Sequence, residues 1–296
     1  MRDRIIAWLT RIILRVMSWL SLRQAQALGR LFGRLAWWSR GRAAKVTQIN
    51  IATCYPHLDA RAQRQLARDS LLHTGQLSTE MGIVWHWPVK AWRPLIRKVS
   101  GAQRIADALH EKRGVLVLAP HFGNWEMVNL FLGERFGLTA MYEPPNVATL
   151  DAMIRNARMR AGSILVPTTS TGIRELYRTL RKGKLVGLLP DQVPSQRSGV
   201  YAPFFGRPAL TGILAHKVIR ATEPLVVLGH ARRLPDAAGF SLHFDVLPAV
   251  AAAEEPEAYA KALNHAIEEL VALDPAQYQW EYKRFRRGPD DWDKLY

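Results

Sequence analysis

The run Gly114–Ala119 (GVLVLA) is apolar throughout and has helical patterns on both sides. A run this short reads as a strand, and the lack of polar alternation marks it as buried on both faces. Such a strand needs a sheet with helices packed on it, which is an α/β architecture. The rest of the chain agrees. Helical periodicity is read over 60–84 with Asp59 as N-cap, and over 101–112, 124–137, 148–160, 171–182, 210–221 and 256–272. Strands are expected at 184–189 (KLVGLL) and 225–229. A half-exposed strand is expected at 240–247, where Phe240, Leu242, Phe244 and Val246 alternate with more polar neighbours. The Pro-, Ser- and Gly-rich stretch 190–208 reads as a loop. There is no internal repeat and no interdomain linker. The expectation is one α/β domain, its central sheet mostly parallel or mixed and flanked by helices, behind an amphipathic N-terminal helix.

Charge is spread unevenly over the 296 residues. The formal net charge is +16, which calls for an anionic partner, and 48% hydrophobic residues exclude a disordered chain. Residues 1–50 hold ten Lys/Arg against one acid, Asp3, together with Trp8, Trp19, Trp37 and Trp38. Basic residues mixed with tryptophan suit a membrane surface better than a nucleic-acid groove, because indole prefers the headgroup boundary. On a helix over 4–20, Ile5, Trp8, Leu9, Ile12, Ile13, Val16, Met17, Trp19 and Leu20 share one broad side. Arg4, Thr10, Arg11, Arg15 and Ser18 share the other, and Arg11 and Arg15 break any clean span. The reading is an interfacial helix lying on anionic headgroups, with residues 1–23 as the attachment segment and 24–296 as the main domain. A surface helix packed on the core and a short tilted span are the alternatives. Leu28, Leu31, Phe32, Leu35 and Trp38 extend the attachment at helical spacing. Trp85, Trp87 and Trp92 read either as core or as a second membrane-facing patch. The single Cys54 permits no internal disulfide, which fits a cytosol-facing protein.

Chemistry is expected at His121. The string GVLVLAPHFGNWE runs from a strand into a helix with His121 in the turn, where open α/β sheets place ligand sites. Glu126, five positions on, sits in the first helical turn, where the macrodipole favours its ionised form. It is expected to fold back onto one ring nitrogen of His121, fixing the tautomer of a general base. Gly123 permits the tight backbone and Asn124 serves as N-cap.

This string resembles the His-x4-acid block of the lysophospholipid acyltransferase-like superfamily, in the His-Phe-Gly-Asn-Trp-Glu form of the lipid A late (lauroyl/myristoyl) acyltransferases. MYEPPNVATLDAMIRNARMRAG (141–162) is similar to that family's second block, which ends in an Arg pair, here Arg158 and Arg160. LLPDQVPSQRSGVYAPFFGRPA (188–209) resembles its Pro-Asp-Gln block, with Asp191 as the acid, and QWEYKRFRRGP (279–289) resembles its ending. Glu143 departs from the pattern, standing where the family often has a basic residue.

The resemblance implies transfer of a fatty acyl chain from acyl carrier protein to a hydroxyl of a lipid A precursor, at the cytoplasmic face of the inner membrane. His121 is the implied base and Glu126 its orienting partner, with Asn124, Arg158, Arg160 and Asp191 on the substrate side. Arg158 and Arg160, two apart on a helix, do not face the same way, so at most one reaches the active centre. Asp191 orients an Arg or the acceptor, or is a plain turn aspartate. No Gly-x-Ser-x-Gly elbow points to a serine acyl-enzyme, so direct attack on the thioester is the simpler route. His86, His216 and His230 read as packing or surface residues. No metal, cofactor or nucleotide is expected, and no nucleic-acid partner. Two alternatives stand beside this reading. One is an acyltransferase for another glycolipid, such as a phosphoinositol mannoside. The other is a non-catalytic basic protein that binds anionic membrane or nucleic acid.

Overall fold

The computed structural model describes residues 2–145, 147–289 and 295–296. Four helices come first: α1 (Arg2–Met17), α2 (Leu22–Trp38), α3 (Arg42–Cys54) and α4 (Ala60–His86). A short α5 (Val89–Trp92) leads into β1 (Ile96–Ser100), α6 (Ala102–His110) and β2 (Val115–Leu118). Then follow α7 (Trp125–Phe136), β3 (Leu138–Tyr142), α8 (Asp151–Met159), β4 (Ile164–Pro167), α9 (Ser170–Arg181) and β5 (Leu185–Leu188). A hairpin of β6 (Gly199–Phe204) and β7 (Arg207–Gly212) precedes α10 (Leu214–Thr222), β8 (Leu225–Arg233), β9 (Phe240–Val246), α11 (Pro248–Ala252) and α12 (Pro256–Leu273).

Seven strands form one sheet in the order β1-β9-β8-β2-β5-β3-β4. Every neighbouring pair is parallel except β8–β9, so the expected mostly parallel, mixed sheet is what forms. β2 is central and buried on both faces. Leu116 and Leu118 join Val186, Leu188, Val226 and Leu228 in a core shared with α9, α10 and α12. Val115 and Val117 point the other way, into a core shared with α4, α6 and α7.

Two expectations are corrected. The stretch 190–208 is not all loop, because it contains β6 and the start of β7. Its prolines disguise a two-stranded ribbon in which Pro203 faces Pro208, a pairing that costs little away from a sheet centre. Phe205 and Gly206 both have positive φ (50° and 74°), as a two-residue hairpin turn requires. The second correction concerns the helix read over 210–221, which begins only at Leu214 because 210–212 belong to β7. The strand expected over 240–247 forms as β9, with Phe240, Leu242 and Phe244 buried and Asp245 exposed. Asp59 does cap α4, accepting from the backbone N–H of Arg61 and Ala62 at 2.8 Å each. Trp92 is fully buried, and Trp85 and Trp87 pack on the same core, so this cluster is interior rather than membrane-facing.

The N-terminal helices dock through small residues. Gly29 and Gly33 of α2 meet the α4 backbone at Gly75 and Leu71 so closely that any side chain at Gly75 would strike the Gly29 carbonyl. α1 rests on α4 through Ala7, Leu14 and Met17, against Gly82. This contact leaves the apolar stripe of α1 outside. Of the fifteen large hydrophobics exposed among the described residues, eleven lie between Ile5 and Trp38, including Trp8 (61%), Trp19 (72%) and Trp38 (70%). Among the described residues no helix is long and apolar enough to cross a membrane.

Candidate active site

Sheet register creates the site. Leu118 of β2 pairs with Leu188 of β5 in parallel, so three residues further along each chain His121 and Asp191 leave the sheet side by side. His121 Nδ1 lies 2.8 Å from Asp191 Oδ1, and the His121 backbone N–H donates to Asp191 Oδ2 at 2.9 Å. Asp191 is buried. Burial alone would push its carboxyl up, but attraction to His121 and the two hydrogen bonds outweigh it and hold it below the ordinary value. An ionised carboxylate only accepts, so Nδ1 carries a proton, and the lone pair of the neutral ring is then the one on Nε2. The Gln192 side-chain amide approaches that nitrogen at 3.4 Å.

Glu126 is not the partner of His121. Projecting from the first turn of α7, it is buried and engaged by Arg158 of α8, whose Nε (2.8 Å) and Nη2 (2.6 Å) both donate to Oε1. The helix carries Glu126 toward α8, while Asp191 arrives at the imidazole from the neighbouring strand. Arg158 lies over the rings of Trp125 (5.1 Å) and Tyr142 (5.4 Å), and Trp125 in turn meets His121 edge-on at 5.2 Å.

Of the other expected site residues, one more is placed at the centre and two are not. Arg158 lines the same cavity as His121, whereas Arg160 does not. The Arg160 guanidinium donates to the carbonyls of Val84 and Trp87 and closes the C-terminal end of α4. Asn124 occupies the cap position of α7 but makes no cap bond with its side chain. It is fully buried, and its Nδ2 donates to Glu80 Oε2 at 2.9 Å. Gly123 has φ +58°, and a Cβ there would strike the Ala231 carbonyl, so the tight turn needs glycine.

The cavity has a volume of about 430 Å³. Its polar end holds His121, Arg158, Tyr142 and Gln192, and Glu143 stands at its exposed edge. Its remainder runs between α7 and the sheet past Val117, Val128, Leu132, Leu138 and Gly187. Missing side-chain volume at Gly187 keeps this apolar arm open, since a Cβ there would come within 3.0 Å of Leu138. Among the described residues no group of three His, Cys, Asp or Glu side chains is placed to hold a metal ion.

Sequence reasoning missed the tail behind the pair. Gln279 N–H donates to the His121 carbonyl (3.1 Å) and Gly123 N–H to the Gln277 carbonyl (2.9 Å). Tyr278 is buried beside Asp191, and that burial pushes its phenol well above the ordinary value. Tyr282 accepts from Val193 N–H at 2.8 Å, bracing the turn that carries Asp191.

The model for bacterial lipid A biosynthesis acyltransferases matches residues 1–287. The chain belongs to that family. Among its relatives is a lipid A biosynthesis lauroyltransferase of Escherichia coli K12, 26% identical over 272 residues, covering 89% of this chain and 85% of the relative. A lipid A biosynthesis palmitoleoyltransferase of the same organism is 26% identical over 274 residues, covering 91% of this chain and 87% of the relative. A phosphatidylinositol mannoside acyltransferase of Mycobacterium tuberculosis H37Rv is 27% identical over 195 residues, covering 64% of this chain and 60% of the relative. Membership of that family makes the chain a glycolipid acyltransferase.

Proposed function

We propose that the protein transfers a fatty acyl chain from acyl carrier protein to a hydroxyl of a lipid A precursor, at the cytoplasmic face of the inner membrane. The observation that carries this reading is His121 Nδ1 held at 2.8 Å by buried Asp191 at the polar end of a long apolar cavity. The apolar arm suits the fatty chain. His121 Nε2 accepts the proton of the acceptor hydroxyl as its oxygen attacks the thioester carbonyl, and Asp191 stabilises the imidazolium that forms. Collapse of the tetrahedral intermediate expels the carrier thiolate, which takes that proton back from His121. Arg158, anchored by Glu126, supplies positive charge at the cavity wall where the thioester oxygen becomes negative. Asn124 and Arg160 act on the scaffold rather than on substrate in this reading.

Mass spectrometry of the products formed from acyl carrier protein thioester and purified acceptors tests the assignment. Acylated lipid A precursor is the expected product. A product formed only with phosphatidylinositol mannoside would move the acceptor to the class of the mycobacterial relative.

The exposed stripes of α1 and α2 support attachment to the bilayer. Burying one large apolar side chain contributes roughly 1.5–3 kcal/mol, so eleven of them hold the protein at a lipid surface without a span. Arg11 donates to the Thr149 carbonyl (3.1 Å), and Thr149 Oγ1 donates to the Asp3 carbonyl (3.1 Å). These contacts tie α1 to the segment after Tyr142, beside the polar end of the cavity. Replacing Trp8 and Phe32 together by Glu is expected to lower vesicle binding by about tenfold or more with the fold intact, since both side chains are exposed. Flotation with anionic vesicles measures it, and undiminished binding of the double variant would refute the attachment.

A further inference from the structure

We propose that the outer faces of α9 and α10 form the docking surface for the acidic acyl carrier protein, an inference that rests on the carrier-dependent reading above. Arg174, Arg178 and Arg181 are spaced by four and three residues, so they form one outward stripe on α9, and all are exposed. Lys217 and Arg220, three apart, do the same on α10. The two helices pack against each other on the same face of the sheet, with Leu176, Leu180, Val218 and Ile219 in a common core. Their outer faces therefore adjoin. Glu175, paired to Arg178 at 2.7 Å, and Glu223 at the end of α10 are the acids on these two elements.

Both helices begin at the cavity. Thr168, just before α9, and Leu214 and Ala215, at the start of α10, line it beside Pro194 and Gln192. A protein seated on this surface can deliver a tethered thioester to the polar end without crossing the fold. The partner class follows from what the surface lacks. None of the exposed large hydrophobics among the described residues lies on α9 or α10, whereas eleven lie on the first 38 residues. A lipid surface selects the second composition, and an acidic protein selects the first. The protein's two basic regions thus serve different anionic partners.

The experiment reverses three charges, Arg174→Glu, Arg178→Glu and Arg181→Glu, in the full chain. Transfer is assayed with acyl carrier protein thioester and, separately, with acyl-pantetheine, which has no protein to dock. The expected result is a KM for the carrier substrate raised about tenfold or more, with transfer from acyl-pantetheine unchanged. Added salt raises the parental KM for the carrier substrate and narrows the gap to the variant. A matched reversal of Arg61, Arg64 and Arg68, exposed on α4, changes net charge equally and leaves the carrier KM unchanged. An unchanged carrier KM in the α9 variant, or an equal rise in the α4 control, overturns the docking surface. So does loss of nucleic-acid or vesicle binding in the α9 variant without a change in carrier KM. If the parent uses acyl-pantetheine but not the carrier, the docking surface and the carrier donor both fall, while the acyltransferase reading stands.

Discussion

Asp191→Asn is expected to lower kcat by about 10³–10⁴-fold, with little change in KM and a melting temperature near that of the parent. The reason lies in the acceptors. Asp191 accepts twice, from the His121 backbone N–H and from the ring Nδ1–H. Asparagine offers one acceptor oxygen in the same shape. The backbone N–H can only donate, so that oxygen stays with it and the amide NH2 turns toward the ring. His121 must then accept at Nδ1 and carry its proton on Nε2, which faces the substrate with no lone pair to take a proton. Glu126→Gln is a milder change, since Gln keeps an acceptor for Arg158 and does not touch the imidazole, and a loss of about 10–10²-fold is expected. Transfer kinetics of the two variants measured side by side check the assignment. A larger loss at Glu126 than at Asp191 would return the orienting role to Glu126.

The second large effect falls on stability. Glu80 is fully buried on α4 and takes four hydrogen bonds. Its Oε1 accepts from Gln26 of α2 (2.8 Å) and Arg233 Nε of β8 (2.7 Å). Its Oε2 accepts from Asn124 (2.9 Å) and Arg233 Nη2 (2.7 Å). One carboxylate thus ties α2, the sheet and the His121 turn together. Arg233 also donates to His73 Nδ1 at 3.1 Å, and burial pushes His73 down to about 3, so that ring is neutral and offers no counter-charge. Glu80→Ala strands a buried guanidinium, which costs about 3–5 kcal/mol. Against a total stability of about 5–15 kcal/mol this is severe, and a fall in Tm on the order of 10 °C is expected. Thermal unfolding followed by circular dichroism measures it, and a Tm within a degree or two of the parent would contradict the anchoring role of Glu80.

The sequence exposes most of the inner strands and hides the two edge strands together with β3, which lies between β5 and β4. β2 and β5 are short apolar runs bounded by helices, and a run too short for a helix yet wholly apolar fits little except an inner strand. β1 (IRKVS) and β4 (ILVP) close the two ends of the sheet, carry exposed residues and show no clean alternation, so neither reads as a strand. Prolines mask the hairpin. At the site, His121 announces itself through its strand–turn–helix setting, and Glu126 stands out as a residue but with the wrong neighbour. Proximity along the chain favours a residue five positions away, while the actual partner is brought across 70 residues by the register of two parallel strands. Nothing in a linear pattern reports which strands are adjacent. The same limit explains Asn124 and Arg160, whose partners lie on α4 and just beyond its end. The apolar stripe of α1 is legible as a stripe, but its outward orientation depends on Gly82 accepting the opposite face.

The most direct measurement is the rate of acyl transfer by His121→Ala protein that remains folded and vesicle-bound, with carrier thioester and lipid A precursor supplied. Removing the imidazole is predicted to lower kcat by about 10³-fold or more. Transfer at the parental rate would mean that the proton leaves the acceptor by another route, and that His121, Asp191 and the cavity they guard are not the reacting centre.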